Sequence, residues 1–355
     1  MERKLPWADP LAAQNLKSDW NATDSAGKQA LANDWGVRKG TLANFVSDVT
    51  PPVEESGTAP YPSFNIIPPV HSKRSVEDMG LVVADWHAGK KTSSYDRDVL
   101  RRRVEYLTQR VLNIIDLHQP IRRLHVFMLG DMPQGENVYQ GSKVEEAEMG
   151  ARLQIKTLLV PAMSGLLVSA SQVVEGVEAY GVRGNHGKYD KAAPSGTNWD
   201  LFFYDNLESA LVNQDRIHVH PAENFYQLIS ILGWRFFIIH GDQVNATNGI
   251  PLFAMRRKMQ DWYAHVGGFH YAYAGHFHSA AADQVNSVAD YTICPPLVTG
   301  DSWALEKIGR ASKPVQLCFG IHKKYGRTWE YKLYADEKYL PEPFEEPEGE
   351  IVVSA

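Results

Sequence analysis

Side chains able to bind metal ions follow an apolar stretch near residue 81 of this 355-residue chain. The stretch is Leu81–Ala84, and Asp85 and His87 come after it with one residue between them. A short apolar run of this kind predicts a buried strand. Because α/β proteins bind ligands where strands end and loops begin, we expect Asp85 and His87 to open a metal site.

Four later stretches repeat this pattern, each an apolar run that ends in carboxylate, amide or imidazole groups. They read VFMLGD from residue 126, YGVRGNH from residue 180, RFFIIHGD from residue 235 and YAYAGHFH from residue 271. None offers a thiolate, so the donors favour hard or borderline cations, namely Mn²⁺, Fe, Zn²⁺ or Mg²⁺. Donors in this number suit two divalent ions that share one carboxylate and together clamp a phosphate. The donors are Asp85, His87, Asp131, Asn185, His240, His276 and His278.

Helix and strand patterns alternate around these stretches. Apolar residues at three- and four-residue spacing predict a helix over 96–117, and further helices are expected over 144–168, 198–212 and 251–263. Strands are expected over 124–129 and 173–182, with a hairpin around Gly233. The region 283–334 reads as strands with turns at Gly300, Gly320 and Gly326. Alternation followed by strands predicts an α/β fold of two packed sheets with helices outside.

Residues 28–47 have the pattern of a helix-turn-helix unit with Gly36 at the turn, where a positive φ suits glycine. The second helix of such a unit enters the major groove in DNA-binding proteins. A helical hairpin used for protein contacts or packing is the alternative, because acids balance bases here and attraction to DNA would be weak. The residues left exposed on the second helix would be Arg38, Lys39, Thr41 and Asn44.

Prolines concentrate after this unit and acidic residues at the C-terminus. We therefore divide the chain into the helix-turn-helix unit (1–50), a Pro-rich linker (51–75), the main domain (76–335) and an acidic tail (336–355). The net charge of -6 does not indicate a polyanion-binding protein as a whole.

The bulk composition is that of an ordinary soluble globular protein, and we expect a cytoplasmic location. Hydrophobic residues make up 44% of the chain, enough for a sizeable core. The two cysteines, Cys294 and Cys318, are expected to be buried thiols rather than a disulfide. We expect that no stretch approaches the ~18 apolar residues of a membrane span, and the N-terminus lacks a signal-peptide core. We expect no membrane partner.

The ordered set D-x-H, G-D, G-N-H, H and G-H-x-H resembles the calcineurin-like metallophosphoesterase superfamily. Each motif alone is weak, but all of them in order, each after an apolar run, make a specific signal over residues 76–335. The resemblance implies a four-layer α/β/β/α sandwich, a dinuclear metal centre with Mn²⁺ as the first expectation, and phosphoester hydrolysis. By position, Asp85, His87 and His278 would hold the first metal and Asn185, His240 and His276 the second.

The resemblance also assigns roles to Asp131, which would bridge the metals, and to His186, which would stabilise the transition state and protonate the leaving oxygen. Family members often carry an acid directly after G-N-H, whereas this chain has Gly187. Asp190 or a backbone group would then have to orient His186. Other candidates for substrate contact are Gln134, Asn137, Lys188 and Tyr189, although Lys188 and Tyr189 can equally be plain loop residues.

Substrate choice is open at the level of sequence. A fused helix-turn-helix favours DNA, because tethering raises the local concentration of nucleic acid at the cleft. The G-N-H-G variant with Asn198–Asp200 downstream also resembles phage- and prophage-encoded phosphoesterases regarded as DNA-processing. We expect a DNA nuclease, exo- or endonucleolytic. One alternative is a phosphatase of proteins or small molecules whose N-terminal unit serves oligomerisation. Another is a non-catalytic DNA-binding or replication-accessory protein.

Overall fold

The computed structural model describes residues 10–48, 76–136, 146–190, 194, 196–245, 251–300 and 313–341. The chain divides into two units, Met1–Val70 and His71–Ala355. The linker expected over 51–75 and most of the acidic tail lie outside the described residues. Within the expected tail, Asp336 accepts hydrogen bonds from the Arg103 guanidinium, and Glu337–Tyr339 form a 3₁₀ turn.

The N-terminal unit contains three helices: α1 (Pro10–Asn21), α2 (Ser25–Asp34) and α3 (Lys39–Asp48). The Asp24 side chain caps α2 by accepting from the Gly27 N–H at 2.9 Å, which satisfies a free donor of the first turn. Gly36 has a φ of +64° in the turn between α2 and α3, as its position suggested. The sequence interpretation did not anticipate α1. The three helices share a core formed by Ala13, Leu16, Trp20, Ala32, Leu42, Phe45 and Val46.

The larger unit contains a six-stranded sheet with the strand order β11-β10-β1-β2-β3-β4. Strands β1 to β4 are parallel neighbours, while β10 and β11 add antiparallel pairs at one edge. Parallel strands place their carboxyl ends at the same edge of the sheet. The strands are β1 (Glu77–Val83), β2 (Ile121–Met128), β3 (Gly176–Gly181), β4 (Ile217–Pro221), β10 (Val315–His322) and β11 (Gly326–Tyr334).

The second sheet has the strand order β5-β6-β7-β9-β8. Its centre is also parallel, because β6 pairs with β7 and β7 with β9 in that sense. The β5–β6 hairpin turns at Leu232 and Gly233, both with positive φ, as the sequence predicted for Gly233. The strands are β5 (Tyr226–Ile231), β6 (Trp234–Ile239), β7 (Tyr271–Ala274), β8 (Ala281–Gln284) and β9 (Asp290–Ile293).

Helices connect and cover these strands. A mixed α/β structure with two sheets and helices, predicted from the sequence, is confirmed. The segments α5 (Ala151–Leu153), the π-helical Gln154–Leu159 and α6 (Val160–Ser171) form one continuous helix. The remaining helices are α4 (Arg97–Leu117), α7 (Trp199–Ala210) and α8 (Leu252–His265).

The second predicted helix begins later than expected, at Ala151 rather than at residue 144. In the described part of the preceding segment, the backbone instead pairs with the loop that follows β1. Lys91 N donates to Glu146 O at 2.7 Å, and Glu148 N donates to Gly89 O at 2.9 Å. A backbone whose hydrogen bonds go to a neighbouring loop cannot continue a helix.

Three apolar clusters hold the larger unit together, and strand alternation divides residues among them. On β1, Leu81 and Val83 face the helices α4, α6 and α7, while Val82 faces the second sheet. Between the sheets, aromatic rings dominate, with Phe127 against Phe236 at a centroid distance of 5.6 Å. The third cluster joins the outer face of the second sheet to α8 and includes Phe237, Ile239, Met255 and Met259.

One helix, Ala151–Ser171, is long and apolar enough by length and composition to cross a membrane, within the described residues. The expectation that no stretch approaches such a span is wrong for this helix. The fold gives its apolarity a use, because Leu158, Leu166 and Leu167 are buried against the first sheet. About half of its most apolar window, 44%, is buried in this way.

Gly320 does not mark a turn, as the sequence suggested, but lies inside β10. A Cβ at this position would lie 2.3 Å from the Trp329 indole nitrogen, so glycine here permits the close approach of a neighbouring aromatic side chain. Cys294 and Cys318 are buried free thiols, as expected.

A buried carboxylate ties the first sheet together at the end opposite the ligand-bearing loops. Asp78 accepts two hydrogen bonds from Arg122, at 2.9 and 2.7 Å, and lies 3.1 Å from His125 Nε2. Burial raises the pKa of Asp78, but its hydrogen bonds to Arg122 and His125 outweigh burial and lower the pKa below 3.8. The stabilisation is therefore fully present well above pH 3.8 and is lost as the pH falls through the lower native pKa.

We predict that Asp78→Asn reduces the free energy of unfolding by about 2 kcal/mol at pH 7, the scale of a hydrogen-bonded charged group whose partner Arg122 remains partly hydrated. Urea unfolding of both proteins should show this deficit narrowing on acidification towards pH 3. An equal deficit at pH 7 and pH 3 would show that the Asp78 charge does not contribute.

Candidate metal centre

The predicted ligands follow the carboxyl ends of parallel strands in both sheets. Asp85 and His87 come after β1 and Asp131 after β2 of the first sheet, while His240 comes after β6 of the second. The motifs after β3 and β7 supply the rest, so two sheet edges meet at one place. The structure brings together Asp85, His87, Asp131, Asn185, His186, His240, His276 and His278.

Left-handed backbone conformations concentrate at these positions. Among the described residues, the only other non-glycine residue with positive φ is Leu232, in the β5–β6 turn. Such conformations cost about 1–3 kcal/mol each and persist where the surrounding structure imposes them, commonly at functional sites. The candidate ligands concerned are Asp85, His87, Asp131, His276 and His278, with φ between 45° and 70°.

The first group of ligands converges tightly. His87 Nε2 lies 3.2 Å from His278 Nε2. The Asp85 Oδ1 atom lies 3.5 Å from His278 Nε2 and 3.9 Å from His87 Nε2. Ligand atoms bonded at about 2.1 Å to one cation lie about 3–3.5 Å apart, so these atoms fit around a single ion.

The second group lies around His240. Its Nε2 atom is 3.1 Å from Asp131 Oδ2 and 2.9 Å from Asn185 Oδ1. His276 joins the group, because its ligand nitrogen lies within 4.8 Å of those of Asp131 and His240. Two carboxylate or amide oxygens and two imidazoles form a donor set that suits Mn²⁺, Fe or Zn²⁺.

The free ring nitrogens of two ligands are anchored behind the site. His240 Nδ1 donates to the Leu129 carbonyl oxygen at 2.7 Å. His87 Nδ1 donates to the Gln134 side-chain oxygen at 2.9 Å. In the neutral imidazole, both bonds leave Nε2 as the lone-pair atom, which is the arrangement that a metal-binding histidine requires.

Asp131 is the carboxylate shared by two of the groups, those of His87 with His186 and of His240 with His276. Its Oδ1 atom accepts from the His186 backbone N–H at 2.7 Å. Burial raises the pKa of Asp131, but the neighbouring imidazoles lower it well below its usual range. Asp131 therefore remains charged, which is the state in which a carboxylate binds a metal ion.

The charges of the cluster also shift the pKa values of two of its histidines, His240 and His276. Burial lowers the pKa of His240, but Asp131 and Asp85 raise it to about 10. Burial and the positive charge of His240 lower the pKa of His276 to about 3. Without a cation, the cluster thus retains a proton on His240 beside Asp131, and binding of a divalent ion would release that proton.

The motif glycines make room for carboxylates. A Cβ at Gly184 would lie 2.2 Å from Asp131 Oδ1, and one at Gly275 would lie 2.7 Å from Asp85 Oδ2. The backbone N–H of His276 donates to Asp85 Oδ2 at 2.9 Å. Glycine in G-N-H and G-H-x-H is therefore required by the approach of a ligand from another strand.

His186 is held by the backbone, one of the two possibilities that Gly187 left open. Its Nδ1 atom lies 3.2 Å from the Gln134 carbonyl oxygen, which can only accept. The ring meets that of His87 edge-on at a centroid distance of 4.6 Å. Burial lowers the pKa of His186, and Lys90 lowers it further against the effect of Asp131.

The position after His186 has no space for an acidic side chain. A Cβ at Gly187 would lie 2.1 Å from Asn198 Oδ1 and 2.8 Å from Asp200 Oδ2. Asn198 and Asp200 thus occupy the volume beside Gly187. The lack of an acidic residue directly after His186 therefore follows from the downstream Asn-Trp-Asp segment.

Sequence reasoning missed the part that Asp200 plays. Its fully buried carboxylate accepts from the backbone N–H groups of Asp131 at 3.2 Å, Met132 at 2.9 Å and Gly184 at 2.8 Å. It therefore joins the loops that follow β2 and β3. Burial and the charge of Asp131 raise the pKa of Asp200 to about 7. The Asn-Trp-Asp segment was noted in the sequence, but its contacts are long-range.

Lys90 was also missed. Lys90 is only 5% exposed, and its positive charge lowers the pKa of both His87 and His186. A buried cation beside a predicted phosphate site favours anions. The available signal was its place three residues after His87 in the first motif.

The remaining predicted contacts have mixed placements. Gln134 lies behind the predicted ligands. Its side-chain oxygen contacts His87 Nδ1, and its backbone carbonyl oxygen contacts His186 Nδ1. Lys188 Nζ lies 3.5 Å from Asp242 Oδ2. Tyr189 is 60% exposed, whereas Asn137 lies outside the described residues.

In the N-terminal unit, Arg38, Thr41 and Asn44 are exposed at or near the start of α3 and along it. Lys39 differs, because its ammonium donates to the Ser25 carbonyl at 3.0 Å and to the Ser25 hydroxyl at 2.8 Å. Three of the four predicted DNA contacts are therefore accessible to solvent, and the fourth is hydrogen-bonded to the start of α2.

Comparison with known proteins gave structural similarity alone: no protein-family model and no curated protein matched the chain. Vps29 of Entamoeba histolytica with Zn²⁺ is 12% identical, with a TM-score of 0.36 over 72% of this chain and 92% of that one. A Danio rerio dimetal phosphatase is 12% identical, with a TM-score of 0.34 over 73% and 99%. Candida albicans 5′-nucleotidase is 10% identical, with a TM-score of 0.29 over 70% and 47%.

We predict that the protein binds about two Mn²⁺ ions per chain, because the ligand atoms form two adjoining groups around a shared carboxylate. His278→Ala and His240→Ala should each lose about one ion, and Asp131→Ala should lose both, as measured by elemental analysis after equilibrium dialysis. His265→Ala, an exposed histidine on α8, is the matched control and should keep both. Retention of both ions by His240→Ala would contradict the assignment.

Proposed function

We propose that this chain is a dinuclear-metal-dependent phosphodiesterase with the four-layer sandwich of the calcineurin-like metallophosphoesterases. The convergence of the predicted ligands from both sheets around Asp131 carries the proposal. Packing of the two sheets does not require metal-binding residues from five separate strand ends to converge at one place. Every described donor that the motifs predicted lies in this one cluster.

Asp85, His87 and His278 would hold one divalent ion, Asn185, His240 and His276 the other, and Asp131 would be shared. The ions, with Mn²⁺ the first choice, would act as Lewis acids on the phosphate oxygens. The chain itself orients the ligands through Leu129 and Gln134, which removes the need to reorganise imidazoles when a substrate arrives.

His186 is the residue proposed to act on the substrate directly. The Gln134 carbonyl keeps the Nδ1 proton in place, so the ring presents its other nitrogen as the reactive one. Phosphate charge beside the ring favours the protonated imidazole, which can then donate to the leaving oxygen. Lys90, buried next to His87 and His186, would attract that phosphate.

DNA is the proposed substrate, cleaved as an exo- or endonuclease, and phage or prophage origin agrees with the motif variant. The exposed Arg38, Thr41 and Asn44 support a DNA contact by the N-terminal unit. Binding of DNA through this unit would raise the local concentration of the DNA strand at the metal centre. A cytoplasmic location is part of the same proposal.

We predict that His186→Ala lowers kcat on DNA about 10²- to 10⁴-fold with its metal content retained, because loss of a general acid slows chemistry without removing a ligand. Nucleotide release from labelled DNA with Mn²⁺ measures the effect, with His265→Ala as control. Activity confined to phosphate monoesters would instead indicate a phosphatase. Full DNA affinity without turnover, in the presence or absence of metal, would indicate an accessory protein.

The N-terminal unit gives a separate prediction. Arg38→Ala should weaken DNA binding about tenfold, the equivalent of about 1–2 kcal/mol for one arginine contact. Lys28→Ala removes the same charge from α2 and should have a smaller effect, as measured by fluorescence anisotropy at fixed salt. Equal loss in both variants would contradict a specific contact by α3, and no loss in either would favour a helical hairpin used for packing.

A further inference from the structure

A cavity of about 320 Å³ lies beside the candidate catalytic histidine, outside the metal cluster. Its size is at the lower end for ligand pockets, suitable for one ring system rather than for a whole nucleotide. The described residues that line it come from the segment after His186 and from α7, and they include Tyr189, Asn198, Trp199, Phe202 and Asp205.

Short backbone contacts tie the cavity wall to His186. Trp199 N donates to the Gly187 carbonyl at 2.6 Å, directly after the histidine. Lys188 and Asn198 form an isolated β-bridge. A Cβ at Gly135 would lie 2.0 Å from the His186 carbonyl oxygen and 3.9 Å from Trp199 Cδ1, so the indole edge approaches the backbone around the histidine.

Aromatic side chains dominate the wall and are open to solvent. Tyr189 is 60% exposed and Phe202 is 43% exposed. The ring centroids of Tyr189 and Trp199 are 5.5 Å apart, and those of Trp199 and Phe202 are 5.9 Å apart. Three adjacent rings with two of them exposed are typical of a surface on which another flat ring stacks.

A polar group in this wall still needs an acceptor. The Trp199 indole nitrogen is buried and has no hydrogen-bond partner among the described residues. A buried N–H without an acceptor costs about 1–3 kcal/mol. Because this nitrogen is closed to solvent, an incoming ring with a nitrogen or carbonyl acceptor relieves that cost only if the indole turns towards the cavity.

The charge of the described wall disfavours a phosphate as occupant. Of the described residues that line the cavity, none is basic, and Asp205 is acidic. An acidic wall repels phosphate but accepts from the exocyclic amines of bases. The neighbouring Lys188 lies against Asp242.

We propose that this cavity takes one nucleobase of the DNA strand whose phosphate lies at the metal centre. The inference rests on the proposed function, and it extends it by naming a base subsite built from Tyr189, Trp199 and Phe202. Stacking on these rings supplies the affinity. Such a site favours single strands or unpaired ends, because a paired base is not free to enter.

The test compares single-stranded oligonucleotides that differ by one abasic position, scanned across the cleaved bond, with kcat/KM measured in Mn²⁺. In the unaltered protein, removal of one particular base should lower kcat/KM about 5- to 150-fold, the equivalent of about 1–3 kcal/mol of stacking. The variants Phe202→Leu and Tyr189→Leu keep an apolar side chain without a π-face. In both, the ratio of kcat/KM between the intact and the abasic strand should fall near one. Trp199→Phe should reduce it partly.

Tyr325→Leu is the matched control, since Tyr325 is 64% exposed but lies in the turn between β10 and β11, and it should keep the full ratio. No base preference at any position, or an unchanged ratio in Phe202→Leu, would overturn the inference. Displacement of the base-containing strand by a phenylalanine-containing peptide would also overturn the inference.

Equilibrium binding of the same oligonucleotide pair to His186→Ala separates the two proposals. Absence of cleavage of any phosphodiester with any divalent metal would reject the proposed function. A base preference in binding that Phe202→Leu removes would support the subsite even then. Cleavage of both oligonucleotides at equal rates would reject the subsite and leave the phosphodiesterase standing.

Discussion

The structure depends on one buried carboxylate that three loops share. Asp131 accepts from the His186 backbone through one oxygen and lies against His240 of the other sheet through the second. Its own N–H is bound by Asp200. Because a buried carboxylate requires compensating partners, the loops after β2, β3 and β6 must adopt one mutual arrangement. A pocket for cations is the product of that requirement.

Backbone strain accompanies this arrangement. Five candidate ligands occupy the left-handed region, where side chains are disfavoured, and the motif glycines stand where a carboxylate leaves no volume for a Cβ. The strain is confined to the strand ends, while the three apolar clusters lie along the strands and helices. Packing of the sheets therefore supplies the stability that keeps the loops in these conformations.

The loop after β3 serves both the cluster and the cavity beside it. Gly187 lacks a side chain, and Asn198 and Asp200 fill the volume next to it. The same Asn-Trp-Asp segment therefore fastens the metal-binding loops through Asp200 and lines an aromatic cavity through Trp199. This arrangement leaves no room for an acidic side chain after His186, whose ring lies against the backbone carbonyl of Gln134.

The sequence by itself determined the class of fold, the hairpin at Gly233, and the types and order of the donors, because strand period, turn glycines and ligand chemistry are local properties. It also indicated where each donor sits, at the end of an apolar run. Only the tertiary structure decided that Gln134 orients His87, that Asp200 joins two loops, and that Lys90 lies beside His186. These are contacts between residues distant in the chain, set by which strands become neighbours, and no local pattern records them.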